Sequence, residues 1–233
     1  MTEWWTYSLS DFLMFAPRTY YRLFELYNAA VWPGQGIALA LGLLLALAVK
    51  RPRAAATSAR AACLLLAAGW LWVAWAFHWQ RYATINTAAT WFAVAFAVEG
   101  LLWTLAAASG ARWPPRRRLD GRTKVGLGLL LFALLVQPMT GLLFGRPWQQ
   151  AGLFGLVPDP TAIGTLGLLL LLPAGARFVW LLWPVPLAWC LVSGATLWTM
   201  QAPEALLMPV AGVLAATSAW WTGRAQPGPG AAQ

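Results

Sequence analysis

Long apolar runs, separated by short polar stretches, dominate the sequence between residues 32 and 222. A helix needs about 20 mostly apolar residues to cross the hydrocarbon core of a bilayer. The pattern therefore predicts an all-α polytopic membrane protein with about seven transmembrane helices. The predicted segments are 32–49, 61–79, 86–108, 125–144, 161–172, 177–197 and 203–221.

The fifth segment, residues 161–172, is short for a full crossing. The stretch before it, residues 145–160, is too apolar for an ordinary aqueous loop, so we expect it to pack back on the bundle or to re-enter it. If the fifth segment does not cross, the orientation of the C-terminal half inverts.

The first 31 residues differ from the rest because charged side chains interrupt the apolar ones. Residues 8–28 place several aromatic and leucine side chains on one helical flank, which predicts an amphipathic helix in the membrane interface, interrupted near Pro17. A segment docked on its own bundle is the alternative. The chain then divides into this interfacial segment (1–31), a transmembrane bundle (32–222) and a disordered tail (223–233) with linker composition.

Composition supports the membrane assignment, since 60% of the residues are hydrophobic and only 10% are charged. A soluble domain of this size could not bury so much apolar surface in one core. These proportions exclude an ordinary soluble enzyme and a disordered chain.

The formal net charge of +9 comes from 16 basic and 7 acidic residues. The basic residues cluster in short loops, which is typical of the positive-inside rule rather than of nucleic-acid binding. Twelve of them fall on one side of the predicted topology and four on the other. The count predicts a bacterial inner-membrane protein with the loop 113–124 in the cytoplasm, the N-terminus outside and the C-terminus inside.

The 17 tryptophans mostly fall near predicted segment ends, as in an aromatic belt at headgroup level. Others, such as Trp72, Trp75, Trp91 and Trp180, lie within segments. We interpret these as lipid-facing or packing side chains, and a contact surface for a partner or a flat ligand is the alternative.

Two groups of polar residues are candidate sites. Glu99 is the acid predicted near the bilayer midplane, where a carboxylate is costly, and Gln137 lies in the outer half of the fourth segment. Glu99 is either a proton or cation site or an acid that fixes helix packing, and the sequence leaves both open.

The second group is expected on the outer side and comes from at least three elements. It comprises His78, Arg81, Asn86, Arg146, Asp159 and Thr161. We expect Asp159 to cap the fifth segment and to pair with Arg81 or Arg146. The group forms either an outward-facing pocket, in which His78 titrates near neutrality, or an anchor for the loop, and the anchor is the favoured interpretation.

No catalytic residue, metal site or cofactor is predicted. The chain has one histidine and two cysteines, Cys63 and Cys190, without ligand spacing, and neither a nucleophile elbow nor a phosphate loop.

Several segments resemble a family of small bacterial polytopic membrane proteins of unknown function. They are YNAAVWP, HWQRYATINTAATWF, LLVQPMTGLLFG and GLFGLVPDPTAIGTLGLLLLL. In the last of these segments, the motif Phe-Gly-x-x-x-x-Pro-Thr, which ends at Thr161, is one of the most specific parts of the likeness. The likeness covers most of the chain up to about residue 215. Members of the family carry a cysteine where this chain has Asp159, which argues against a thiol-based role. The resemblance implies a membrane location and no particular activity.

Function is therefore a hypothesis with two main forms, besides the less favoured one of a membrane enzyme that works through the outer polar group. The first is a non-enzymatic accessory or structural subunit that packs against other membrane subunits. The alternative is a small-solute transporter or channel that uses Glu99 and the outer polar group. The bilayer is the expected partner in both forms, and nucleic acid in neither.

Overall fold

The computed structural model describes residues 14–49, 55–109, 120–172 and 177–224. Within these ranges the chain is all-α, with helices and turns and no strand, as the sequence predicts. The structure does not test every prediction made from the sequence. The predictions that fall outside the described residues concern the first thirteen residues, the basic loop segments 50–54 and 110–119, and the tail from residue 225.

Nine α-helices follow one another along the described chain. They are α1 (Pro17–Val31), α2 (Gly34–Val49), α3 (Ala55–Trp72), α4 (Ala89–Ala108), α5 (Gly121–Leu131), α6 (Gln137–Leu143), α7 (Pro158–Leu171), α8 (Pro184–Thr199) and α9 (Leu207–Arg224). A π-helical stretch, Val73–Trp79, continues α3, and another, Phe132–Val136, joins α5 to α6. Short 3₁₀ turns lie at Tyr82–Thr84, Trp148–Gln150 and Arg177–Leu182.

In the described part of the chain, four helical stretches are long and apolar enough to cross a membrane. They are Ala59–Thr84, Ala89–Ala108, Gly121–Leu143 and Val179–Thr199, and they correspond to the second, third, fourth and sixth predicted segments. Helices α1 and α2 would add a fifth span if taken together, although they are bent by 89° at the Trp32–Pro33 cis peptide bond. The count of seven crossings stays a prediction.

Helix α7 lies at the centre of the bundle. It begins at Pro158, three residues before the predicted start, and its 14 residues extend about 21 Å. Most of its side chains are buried on all sides, because its sequence is apolar all round. It contacts α3, α5, α8 and α9.

Helices α5 and α7 touch backbone to backbone and run antiparallel. A Cβ atom added at Gly126 would lie 2.7 Å from the Gly167 carbonyl oxygen, and one added at Gly167 would lie 2.7 Å from the Gly126 carbonyl oxygen. Arg122, at the start of α5, donates from Nη2 to the carbonyl oxygens of Leu169 (3.2 Å) and Leu172 (3.3 Å) at the end of α7. Glycine at both positions therefore permits the crossing.

Helix α1 docks one face on the bundle. Tyr20, Phe24 and Tyr27 form edge-to-face ring contacts with Tyr82 or Phe77, and the Tyr27 hydroxyl donates to the carbonyl oxygen of Leu156 over 2.8 Å. This packing is what the docking alternative predicts, while the location of α1 in a membrane interface stays a prediction. Pro17 begins α1, and the part of the predicted helix at residues 8–13 lies outside the described residues.

The stretch after α6 also folds back, as expected from its apolar character. Phe154, Leu156 and Val157 are buried beside α1 and the bundle.

At the other end of the chain, α9 continues to Arg224, two residues beyond the predicted end of the bundle. Cys63 and Cys190 are both buried free thiols.

Candidate binding pocket

A polar cavity of about 70 Å³ lies where α1, α6, α8, the start of α7 and the turn before α9 meet. Its polar lining includes Tyr21, Gln137, Arg146, Asp159 and Glu204. The volume is enough for several water molecules or for a solute of a few heavy atoms. We call this cavity the outer pocket, following the predicted orientation.

One wall of the outer pocket is an ion pair between Arg146 and Glu204. The Arg146 guanidinium also lies over the Tyr21 ring, 4.3 Å from its centroid, and the Tyr21 hydroxyl donates to Glu204 Oε1 over 3.3 Å. Burial raises the pKa of Tyr21 to about 12, so its hydroxyl keeps its proton near neutral pH and acts as a donor. Two separate elements, α1 and the loop after α6, thus hold the Glu204 carboxylate.

The opposite wall is Asp159, in the first turn of α7. Its carboxylate accepts hydrogen bonds from Trp189 Nε1 (2.8 Å) and Ser193 Oγ (3.0 Å), which are four residues apart and therefore share one face of α8. Two predictions for Asp159 are wrong. Val157 is the N-cap residue of α7, with no side-chain cap, because the Asp159 side chain turns toward α8. The described ion pair of Arg146 is with Glu204.

The outer pocket contains buried acceptor atoms that no group in the described part of the chain satisfies. Among the described residues, Glu204 Oε2 and Gln137 Oε1 have no hydrogen-bond partner, and Gln137 Nε2 reaches the sulfur of Met208, at 3.9 Å. A buried acceptor without a donor costs about 1–3 kcal/mol. Two carboxyl groups and one guanidinium line the pocket. The pocket therefore suits a guest that donates hydrogen bonds.

Helix irregularities surround the same cavity. The π-helical stretch Phe132–Val136 ends directly before Gln137, and α7 starts beside the pocket with the positive end of its dipole near Asp159. Irregular helix turns of this kind are frequent at functional sites.

His78 lies beside the outer pocket but does not line it. Its ring is fully buried among aromatic rings, with centroids 4.4 Å from Phe96 and 5.0 Å from Trp189. Neither ring nitrogen has a hydrogen-bond partner. His78 therefore packs against Trp189, the residue that holds Asp159.

The other members of the predicted outer group are not in the outer pocket. Arg81 lines a separate groove, described below. Asn86 Oδ1 accepts from the backbone N–H of Ala88 (3.0 Å), and the Thr161 hydroxyl accepts from the Gly155 N–H (2.8 Å) and donates to the Val157 carbonyl (2.7 Å). Asn86 and Thr161 thus anchor turns, whereas Arg146 and Asp159 meet Gln137 in the cavity.

Glu99 is completely buried and lies apart from the outer pocket. Its Oε1 accepts a hydrogen bond from Trp103 Nε1, one turn along the same helix, over 2.8 Å, and its Oε2 has no partner. The neighbouring Gly100 faces Leu71 and the Ala67 carbonyl of α3, so this part of α4 lies against another helix.

Sequence reasoning missed four residues of the site: Tyr21, Trp189, Ser193 and Glu204. The signal for Glu204 was available, because it is one of only seven acidic residues and lies at the start of the seventh predicted segment, on the same predicted side as Asp159. The other three carry no sequence signal, since each resembles an ordinary residue of its helix.

These observations define an all-α protein whose helices could cross a membrane and which has a polar pocket at one end of the bundle. The chain belongs to DUF6064, a family of unknown function, which matches residues 18–227 and agrees with the resemblance seen in the sequence. No curated protein and no solved structure matches the chain.

Proposed function

We propose that this chain is a polytopic protein of the bacterial inner membrane that binds a small cationic solute in the outer pocket and transports it. The observation that carries the proposal is the pairing of Asp159 with Glu204 around a cavity in which two buried acceptors lack donors. Ammonium or a small primary amine has the charge, the N–H donors and the size that this cavity suits.

Helix irregularity at the cavity supports transport in particular. In many transporters, discontinuous helices end at the substrate site, where freed backbone groups and helix dipoles face the solute. Here α6 begins beside the cavity after a π-helical stretch, and the N-terminus of α7 lies there too. In this proposal the π-helical stretch is the point at which the pocket wall moves.

The proposed topology has seven crossings, formed by α2, α3, α4, α5 with α6, α7, α8 and α9. The basic residues favour a cytoplasmic position for the loop 113–124, with the N-terminus outside and the C-terminus inside. Single cysteines at Arg117 and Trp148, in a background without Cys63 and Cys190, test it in intact cells. The proposal expects a membrane-impermeant maleimide to label position 148 and not 117. Labelling at 117 and not at 148 would mean that the true orientation is opposite to the proposed one.

Uptake of radiolabelled methylammonium into proteoliposomes tests the function directly. The proposal expects saturable uptake by the wild-type chain and loss of most of it in Glu204→Gln and Asp159→Asn. Both changes keep side-chain size while removing one negative charge each.

The matched control is Glu99→Gln, which also removes one buried carboxylate. We assign Glu99 to helix packing, so this variant should retain wild-type uptake. Absence of saturable uptake in the wild type, or equal loss in all three variants, would contradict the assignment of the solute to the outer pocket.

A non-enzymatic accessory subunit is the second candidate, favoured by the surface of α2. This helix has few contacts with the rest of the bundle and presents Ile37, Leu41, Leu44 and Leu47 outward, with 40–62% of each residue exposed. Other membrane subunits would pack there. Purification in mild detergent tests this role, and a chain that always migrates alone would count against it.

A further inference from the structure

A second, larger depression lies on the surface next to the outer pocket. It is a groove of about 990 Å³ between the first turns of α1, the turn at residues 80–85 and the loop at residues 145–150. Tyr21, Arg146 and Gln150 line both cavities, so they separate the groove from the outer pocket.

The groove is strongly basic. Arg18, Arg22, Arg81 and Arg146 line it, and Glu25 is the one acidic residue among its lining residues. These are the four basic residues that the charge count places on the outer side of the membrane. Three distant parts of the sequence thus bring them to a single surface.

Ion pairs neutralise only two of the four arginines. Arg22 Nη1 lies 2.6 Å from Glu25 Oε1, and Arg146 is paired with Glu204. Arg18 and Arg81 form no ion pair with the described part of the chain. The groove therefore keeps two positive charges that can serve a ligand.

We propose that this arginine groove binds a phosphate group, on a lipid headgroup or on a soluble phosphate ester, through Arg18 and Arg81. The planar guanidinium carries a fork of donors that matches phosphate oxygens, and two such groups make a charge-assisted site. Leu23, Leu26 and Ile85 lie in the same groove and add an apolar side, which suits the glycerol or acyl part of a lipid. This site is independent of the solute proposed for the outer pocket.

The test measures the unfolding temperature of the purified full-length chain in detergent during titration with three ligands. They are phosphatidylglycerol, glycerol phosphate as the soluble ester, and oleate as an anion without phosphate. A ligand that binds the folded state raises this temperature, by an amount that grows with the logarithm of its concentration relative to its Kd. Stabilisation by phosphatidylglycerol alone assigns the phosphate to a lipid, and stabilisation by glycerol phosphate as well assigns it to a soluble ester.

The decisive variant changes Arg18→Gln and Arg81→Gln together, and we expect it to weaken phosphate binding about tenfold or more. The control changes Arg60→Gln and Lys124→Gln together. Those two exposed residues carry the same total charge and lie outside the groove, so binding should persist. Equal stabilisation by oleate, unchanged binding in the Arg18/Arg81 variant, or an equal loss in the control would overturn the proposal.

Discussion

The chain buries carboxylates in two regions that differ in how they are held. In the outer pocket, Asp159 and Glu204 receive hydrogen bonds or charge from α1, α8 and the loop after α6. Glu99 receives its one described hydrogen bond from Trp103, four residues along the same helix. Glu99 is fully buried, while Glu204 is nearly buried and Asp159 is partly buried. Among the described residues, the outer pocket is the region that combines several elements around a cavity.

This difference separates two uses of a buried acid. A carboxylate tied to its own helix requires no second element and leaves no space for a guest. Carboxylates that come from separate elements and contact one another's partners fix how those elements pack. In the outer pocket they also have oxygen atoms that accept no hydrogen bond from the described residues and that lie beside a cavity. Convergence of elements, rather than burial alone, therefore identifies the outer pocket as the candidate site.

Breaking the Arg146–Glu204 pair should have the largest effect on stability. Arg146→Ala leaves Glu204 buried without its cation, and we expect a loss of about 3 kcal/mol in the free energy of unfolding. Titration of the purified protein with sodium dodecyl sulfate measures this loss.

Replacing both partners provides the control for that variant. Arg146→Met combined with Glu204→Leu removes the pair without leaving a lone charge, so it should recover most of the lost stability. If the double variant were as unstable as Arg146→Ala, packing rather than charge would explain the effect.

Changes at Asp159 should have an intermediate effect. Asp159→Ala deprives Trp189 Nε1 and Ser193 Oγ of their acceptor, at an expected cost of about 2 kcal/mol in the free energy of unfolding. Asp159→Asn keeps one acceptor oxygen and should cost less than half of that. The same titration compares the two, and equal costs would argue against the two-donor arrangement.

The smallest effect is expected at Glu99. Glu99→Gln retains an oxygen that can accept from Trp103 Nε1, and it replaces a carboxyl group that forms no ion pair with the described residues. Stability should therefore change by less than about 1 kcal/mol in either direction. A loss as large as that of Arg146→Ala would mean that Glu99 also has a partner on another helix, and the contrast between the two regions would fail.

The sequence predicts the helical elements well because apolar runs longer than a helical turn leave few alternatives. Segments 86–108 and 177–197 correspond to helical stretches within about three residues at each end. The start of the fifth segment was left open between Thr161 and the stretch before it, and α7 begins inside that stretch at Pro158, because proline fits the first helical turn.

The site is harder to predict than the helices. Arg146, Asp159 and Gln137 stand out as polar residues in apolar surroundings, and the structure does bring them together. The side chains that contact these residues depend on how each helix is rotated and on which neighbours it packs against. The pattern of residues in a single sequence does not predict either. Thus Trp189 and Ser193 become visible only once α8 lies against α7.

The most direct test of the central claim compares methylammonium binding at the two acid regions. The unfolding temperature of the wild type, Glu204→Gln and Glu99→Gln is measured in detergent against rising methylammonium chloride, with sodium chloride at equal ionic strength as the reference. We predict that methylammonium stabilises the wild type and Glu99→Gln to the same extent and leaves Glu204→Gln unchanged. Stabilisation that disappears in Glu99→Gln but persists in Glu204→Gln would contradict the account.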